Sequence, residues 1–461
     1  MTLHAFPGSA NRRLADIVAR YDGRAPRYTS FPTALQFGPQ VDEAVYRGWL
    51  AALPPEEAVS IYVHVPFCAR LCWYCGCNTR VVNRHEPVAS YLDLMLREIA
   101  LLGEALPGRL PARSVHLGGG SPNMLSVEEL ERLFAAFETT FDMTPDREVA
   151  AELDPTSLSP EWIAAAGRLG MNRASLGVQN LDPGVQAAIN RHETFDQVAA
   201  AFGRLRDAGV RSLNVDLMYG LPLQTTANTL ATIDAVATLR PDRIALFGYA
   251  HVPWMKAHQA LINEADLPDA MERLLQSQAA ADRLVELGYV RIGLDHFARA
   301  EDAMARALDD GSLRRNFQGY TTDEAATLLG VGASAIGKLP QGFVQNITPE
   351  IGWRAAVSKG RLPVARGIAL TDDDRLLGEV IERLMCDFKV DLEAVRRRHG
   401  GRADIFDRAI GELAPFLSDH LAVLDGDVLA VTEEGRLVVR SICTAFDPYL
   451  EGNAGRHAKA I

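Results

Sequence analysis

The chain has 461 residues and a mass of 50.3 kDa, room for two or three domains at roughly 150 residues each. Its 48% hydrophobic and 23% charged composition excludes a disordered chain, which could not bury enough apolar surface to offset its ordering entropy; no apolar run reaches the roughly 18–20 residues that cross a bilayer. Lys and Arg number 47 against 59 Asp and Glu, a net charge of −12, so the overall field repels phosphate backbones and disfavours nucleic acid as a partner.

The first 22 residues interrupt every apolar patch with charge, so they carry no signal-peptide pattern and a cytoplasmic protein is expected. The first strand begins near Val59. Residues 1–54 are therefore expected to form an N-terminal arm folded over the mouth of a barrel.

From about residue 58 to 297 the pattern alternates strand and helix. Strands are predicted over Val59–Val65, Ser114–Leu117, Glu148–Leu153, Arg173–Val178, Ser212–Met218 and Arg243–Tyr249, with a further run at Tyr289–Leu294. Between them apolar residues recur at helical spacing, as in Tyr91, Leu92, Met95, Ile99 and Leu102. Ser126 followed by Glu129 has the form of a capping box opening the next helix. Six such units imply an α/β fold with a parallel sheet covered by helices. The short spacing favours a partial (β/α)6, TIM-like barrel over residues 55–350.

The unusual residues sit at strand ends. Four cysteines follow the first strand, Gly118-Gly119-Gly120-Ser121-Pro122 the second and Glu152-Leu153-Asp154-Pro155 the third. Gln179-Asn180 ends the fourth strand, Asp216 lies near the end of the fifth, and Tyr249-Ala250-His251 ends the sixth. In βα barrels the loops at these carboxyl ends converge over one mouth and carry the active site. The pattern says enzyme.

Past residue 298 the rhythm stops. Asn316–Tyr320 and Gly330–Ala335 are glycine- and aromatic-rich and are expected to be loops packed on the barrel. A third unit, 360–461, is expected to be mostly helical, with helices at 373–385, 391–399 and 404–417. A hairpin follows about Asp425-Gly426, then a last helix from Glu433. This layout is winged-helix-like, but the segment holds 14 Lys and Arg against 18 Asp and Glu. A lid over the mouth fits that balance better than a DNA-binding wing.

The cysteines read Cys68-x3-Cys72-x2-Cys75-x-Cys77, with Cys386 and Cys443 apart. Such a cluster in a large chain points to metal chemistry rather than to a disulfide framework. Close thiolates select zinc, copper(I) or iron–sulfur clusters. A structural zinc site usually joins two separated pairs, whereas a four-iron cluster accepts three thiolates from one loop and leaves one iron open.

Cys-x3-Cys-x2-Cys after the first strand of a βα barrel resembles the radical S-adenosylmethionine (SAM) superfamily. The runs Ile61–Cys68, Cys75–Asn78, Pro26–Thr33, Gly293–Ala298, Asn316–Tyr320 and Cys386–Lys389 narrow the likeness to the bacterial, oxygen-independent coproporphyrinogen III oxidase family. The match spans about residues 21 to 450; Ser121 stands where that family commonly has threonine.

The resemblance implies a [4Fe–4S] cluster held by Cys68, Cys72 and Cys75, whose open iron binds SAM, and a 5′-deoxyadenosyl radical that abstracts hydrogen from two propionates of coproporphyrinogen III. It implies two SAM positions. Tyr62, Gly119, Glu152 and Ile336 match the first; Tyr74, Gly120, Ser121, Gln179, Arg191, Asp216 and Ala250 match the second. Tyr62, Cys77 and Asp216 are the expected catalytic side chains. An electron donor such as a flavodoxin/reductase system, a monomeric state and no membrane span are also implied.

Other readings of single residues stay open. Glu152 or Asp216 could cap a helix, Tyr62 could be core, His64 could be a satisfied core histidine, and Arg191 could be a surface pair. A substrate with four carboxylates sits uneasily with a net charge of −12, so a local basic lining is expected, including Arg191 and Arg27. One competing function is a haem-binding chaperone with the same three cysteines; Cys77 and the Pro-Arg-Tyr-Thr-Ser run discriminate against it. Another is a zinc-stabilised binding module.

Overall fold

The computed structural model describes residues 8–21 and 23–450. Its frame is one twelve-stranded sheet. Six parallel strands follow one another in chain order: β1 (Val59–Val65), β2 (Pro111–Gly119), β3 (Asp142–Leu153), β4 (Arg173–Gln179), β5 (Ser212–Tyr219) and β6 (Arg243–Gly248). Helices cross back between them, as the strand–helix alternation requires. All of β1 is buried except Tyr62, which is partly so, because the sheet's outer face packs on helices and its inner face closes the barrel.

The sheet extends beyond the six strands on both sides. At the β6 edge, β7 (Tyr289–Ile292) and β8 (His296–Arg299) form an antiparallel hairpin, so the run expected at Tyr289–Leu294 adds an edge hairpin and not another parallel strand. On the β1 side lie β9 (Thr327–Val331), β10 (Ile336–Leu339), β11 (Gly342–Asn346) and β12 (Val364–Ala369). Residues 330 and 331, expected in a loop, are thus sheet. Glycine hid this strand from a propensity reading, yet a Cβ on Gly330 would lie 2.9 Å from the Ile336 backbone, so the close strand crossing needs that residue. The sheet also runs to Ala369, past the boundary expected at 360.

Helix Glu86–Ala105 covers β1 and buries Val88, Tyr91, Leu92, Met95, Ile99 and Leu102. Helix Val127–Thr140 opens with the expected capping box: Glu129 N donates to Ser126 Oγ at 3.2 Å, and Ser126 N to Glu129 Oε2 at 2.9 Å. Full burial of each large apolar side chain contributes about 1.5–3 kcal/mol.

The N-terminal segment divides between two cores. Ile17, Tyr21, Tyr28 and Phe31 pack with Leu376, Val380, Ile381 and Leu384 of helix Asp372–Asp387. Val41, Tyr46, Leu50 and Leu53 join the barrel core instead, and Gly38 pairs with Gly367 of β12. The C-terminal hairpin forms as expected between Ala422–Asp425 and Val428–Val431, with Gly426 at φ +57°. The helix expected over 404–417 is two short ones, Asp407–Glu412 and Ala414–Ser418, because Pro415 cannot continue the hydrogen-bond ladder.

Candidate active site

The carboxyl ends of β1 to β6 meet at one mouth, and the cysteine loop sits there. Gly120 N donates to Val65 O and Ser121 N to Phe67 O, both at 2.8 Å. A Cβ on Gly120 would lie 2.5 Å from Phe67 O. Gly120 thus serves the close approach of two backbone segments beneath the cysteines. Gly119, at φ +103°, faces the His64 ring, which a Cβ would meet at 2.4 Å.

Cys68, Cys72 and Cys75 are free thiols, and each sulfur accepts a hydrogen bond. Ser121 Oγ donates to Cys68 Sγ at 3.8 Å, Arg191 Nη1 to Cys72 Sγ at 3.7 Å, and Cys77 N to Cys75 Sγ at 3.4 Å. Donors of this kind support cluster thiolates. The Cys77 hydrogen bonds push Cys75 down to about 6 against the effect of burial, while burial pushes Cys68 up to about 11. Iron takes the place of the proton when such thiols bind metal. The donor set fits a cluster held by three cysteines.

Two segments clasp this loop. From one, Asn190 Nδ2 donates to Leu71 O at 2.8 Å and Trp73 N to Ile189 O at 3.0 Å. From the other, Lys256 Nζ donates to Cys77 O at 2.9 Å, Gln259 Nε2 to Tyr74 O at 2.9 Å, and His258 Nε2 lies 2.7 Å from Cys75 O. Tyr74 packs against an apolar group formed by Val185, Ile189, Leu221, Tyr249 and Ile262. The clasp by residues 256–259 had no signal in the sequence, since its donors bond to backbone oxygens.

Inside the barrel, residues of adjacent strands stand opposite one another in staggered pairs. Tyr62 stands opposite His116, Glu152 opposite Ser175, and Gly177 opposite Asp216. The Tyr62 and His116 rings stack with centroids 6.0 Å apart. Glu152 caps no helix: its Oε1 lies 3.2 Å from His116 Nε2, and its Oε2 accepts from Gly119 N at 3.2 Å. Burial works against the charged form, but the His116 and Gly119 bonds outweigh it and hold Glu152 below its ordinary value. It is a carboxylate at neutral pH. Asp216 accepts from Ser175 Oγ and Asn214 Nδ2, both at 2.7 Å, and burial raises its carboxyl. His64 is buried, with Nδ1 3.1 Å from Tyr62 Oη and Nε2 2.9 Å from Asn78 O. It is a satisfied histidine that ties β1 to the end of the cysteine loop. His116, Ser175 and Asn214 were missed from the sequence, although polar residues alternating along otherwise apolar strands mark an inward face.

Arg191 was expected to bind a ligand carboxylate. Its side chain is 8% exposed and already engaged. Nη2 donates to Gly177 O and to Glu193 Oε2, and lies 3.7 Å from Asp154 Oδ1. Gln179, at φ +66°, ends β4 beside it, its amide next to Gly177. Ala250 and Ile336 are both partly exposed, the first just beyond β6 and the second opening β10. Cys386 and Cys443 are fully buried core residues.

Free thiols, an ionised glutamate and a polar interior thus meet at one barrel mouth. Residues 62–236 match the model of the Radical SAM superfamily, and residues 370–438 that of the HemN C-terminal domain. The chain is 47% identical to the oxygen-independent coproporphyrinogen III oxidase of Bradyrhizobium diazoefficiens, over 97% of this chain and 100% of that one. It is 37% identical to the protein of that name from Escherichia coli, over 95% and 96% of the two chains. The solved structure of coproporphyrinogen III oxidase (HemN) from Escherichia coli, described as a radical SAM enzyme, superposes with a TM-score of 0.88 at 38% identity, covering 92% of this chain and 98% of that one. The chain belongs to the oxygen-independent coproporphyrinogen III oxidase family.

Proposed function

We propose that the protein converts coproporphyrinogen III to protoporphyrinogen IX without oxygen, by oxidative decarboxylation of two propionate side chains to vinyl groups, as a step of haem biosynthesis. One observation carries this reading: three hydrogen-bonded thiols with Cys77 beside them on a strand-end loop, in a chain alignable end to end with oxidases of that name.

Cys68, Cys72 and Cys75 are the residues that would hold a [4Fe–4S] cluster, which with SAM supplies one-electron cleavage and a hydrogen-abstracting radical. The ionised Glu152 would accept from an ammonium or ribose hydroxyl, with Tyr62, Gly119 and Ile336 around the same ligand. Asp216, its two oxygens fixed by Ser175 and Asn214, would accept hydroxyl donors at a second position, with Tyr74, Gly120, Ser121, Gln179 and Ala250 nearby. Arg191 would act on that position through the cysteine loop it holds. Cys77, next to Cys75 and within the field of Glu152, would serve a proton or redox step after hydrogen abstraction.

Alongside this reading we propose a cytoplasmic, monomeric enzyme that receives electrons from a flavodoxin-type donor. The test is anaerobic reconstitution with iron and sulfide, then incubation with SAM, a reductant and coproporphyrinogen III. Protoporphyrinogen IX is the expected product; tightly bound haem with no product would favour the chaperone reading.

A further inference from the structure

Arg191 is engaged inward and does not meet the carboxylates of a tetracarboxylate substrate. Guanidinium groups do gather elsewhere on the rim. The turn Gly293–Asp295 between β7 and β8 lies at the carboxyl end of β6, where Leu246 N donates to Asp295 O at 2.7 Å. Three further segments come together there: Arg27 from the N-terminal segment, Arg315 from the hairpin Arg314–Asn316/Gly319–Thr321, and Arg440 from helix Val439–Cys443.

Arg315 keeps buried donors unmade. Its Cζ lies 4.4 Å over the Tyr320 ring, and Tyr320 Oη donates in turn to Met385 O at 2.8 Å, so the guanidinium plane is fixed. Nη2 makes a long 3.3 Å bond to Arg27 O, while Nε and Nη1 are buried without a partner. Buried donors left unmade carry a free-energy cost that a ligand acceptor removes. Arg27 is exposed above it. The carboxylates bordering the group are already bonded: Asp295 to His296 Nδ1 at 2.7 Å and Asp447 to Tyr28 Oη at 3.1 Å. Burial and the Arg27 charge push Arg440 down to about 10, as expected where like charges crowd.

We propose that Arg315 and Arg27, in the field of Arg440, form a carboxylate-binding subsite on the barrel rim that holds a propionate arm of the substrate macrocycle away from the reacting carbon. A bidentate carboxylate takes Nη1 and Nη2 of Arg315, replacing the long bond to Arg27 O, and its outer lone pairs meet the Arg27 side chain. The inference rests on the proposed function for the identity of the macrocycle; the anion chemistry rests on the arginines.

The experiment is an anaerobic fluorescence titration of the reconstituted protein with coproporphyrin III, which has four carboxylates, and with protoporphyrin IX, which has two. Arg315→Gln and the exposed Arg27→Gln should each weaken coproporphyrin III binding about tenfold or more and protoporphyrin IX binding less, with iron content and melting temperature as in the parent. Arg315→Lys should recover part of the loss. Parent-like affinity of folded Arg27→Gln and Arg315→Gln overturns the subsite, and so does equal weakening of both porphyrins. If Arg315→Gln does not fold, Arg27→Gln alone decides. A parent protein that binds neither porphyrin overturns the proposed function instead, and the subsite with it.

Discussion

Trp353 Nε1 donates a 2.9 Å hydrogen bond to Glu98 Oε2, deep in the core behind the active site. The same carboxylate accepts from Gly332 N at 2.9 Å and from Asn346 Nδ2 at 2.6 Å. No cation is among these partners, and burial pushes Glu98 from 4.5 up to about 7. The bonds fix the turn Gly332–Ala335 just before Ile336. Tyr91 adds to this by accepting from Ala333 N at 2.8 Å and donating to His64 O at 3.0 Å.

Because the folded value lies above the unfolded one, folding takes up a proton at Glu98. Its contribution is fully present below about 4.5 and is lost as pH rises through about 7. The parent should therefore lose stability between pH 5 and 8, by at most about 3 kcal/mol from this group, and Glu98→Gln should lack that slope. Melting curves of the two proteins across this range are the check. A difference between them that does not change with pH would mean that Glu98 does not titrate there.

Alanine at Cys68, Cys72 or Cys75 should abolish iron binding after reconstitution, whereas Cys77→Ala should keep it: that substitution removes the Cys77 thiol's bond to Cys75 but retains the backbone N–H bond and all three ligands. Iron content per chain is the measurement. Equal loss in Cys77→Ala would make Cys77 a ligand.

Arg191→Ala leaves Glu193, whose side chain is 0% exposed, and Asp154 beside an empty position. Removing one partner of a buried ion pair costs about 3–5 kcal/mol. Denaturant unfolding should show a loss of that size, and reconstituted iron should fall with it, because the cysteine loop loses its contact at Cys72. Arg191→Lys keeps the charge without the fork and should fall between.

How far the sequence reached depended on the kind of signal. The six parallel strands were legible because β1 and β5 are apolar runs between helical stripes, and the cysteine spacing was legible because thiols are rare and local. Strands β9 to β12 were not, since their glycines answer close backbone approaches between neighbouring strands, which strand propensity does not register. Glu152 and Asp216 could be placed at strand ends, but their partners His116, Ser175 and Asn214 come from neighbouring strands. Arg191 was legible as a charged residue at the mouth, while the burial of Glu193 that turns it inward depends on three-dimensional packing.

The same limit applies to the N-terminal arm. Residues 1–54 read as an arm folded over the mouth, yet Leu50 and Tyr46 are buried in the barrel core. Leu50→Ala should cost about 2–5 kcal/mol by chemical denaturation, and deletion of residues 1–54 should compromise the barrel itself. A truncated protein as stable as the parent would contradict this.

The central claim, hydrogen abstraction from substrate propionates at the mouth built on Cys68, Cys72 and Cys75, is tested most directly by isotope transfer. Coproporphyrinogen III deuterated at the β-carbons of its propionates is incubated anaerobically with SAM, reductant and the reconstituted protein, and the 5′-deoxyadenosine is weighed by mass spectrometry. The account predicts deuterium in the deoxyadenosine, together with protoporphyrinogen IX. Unlabelled deoxyadenosine alongside product formation would contradict it.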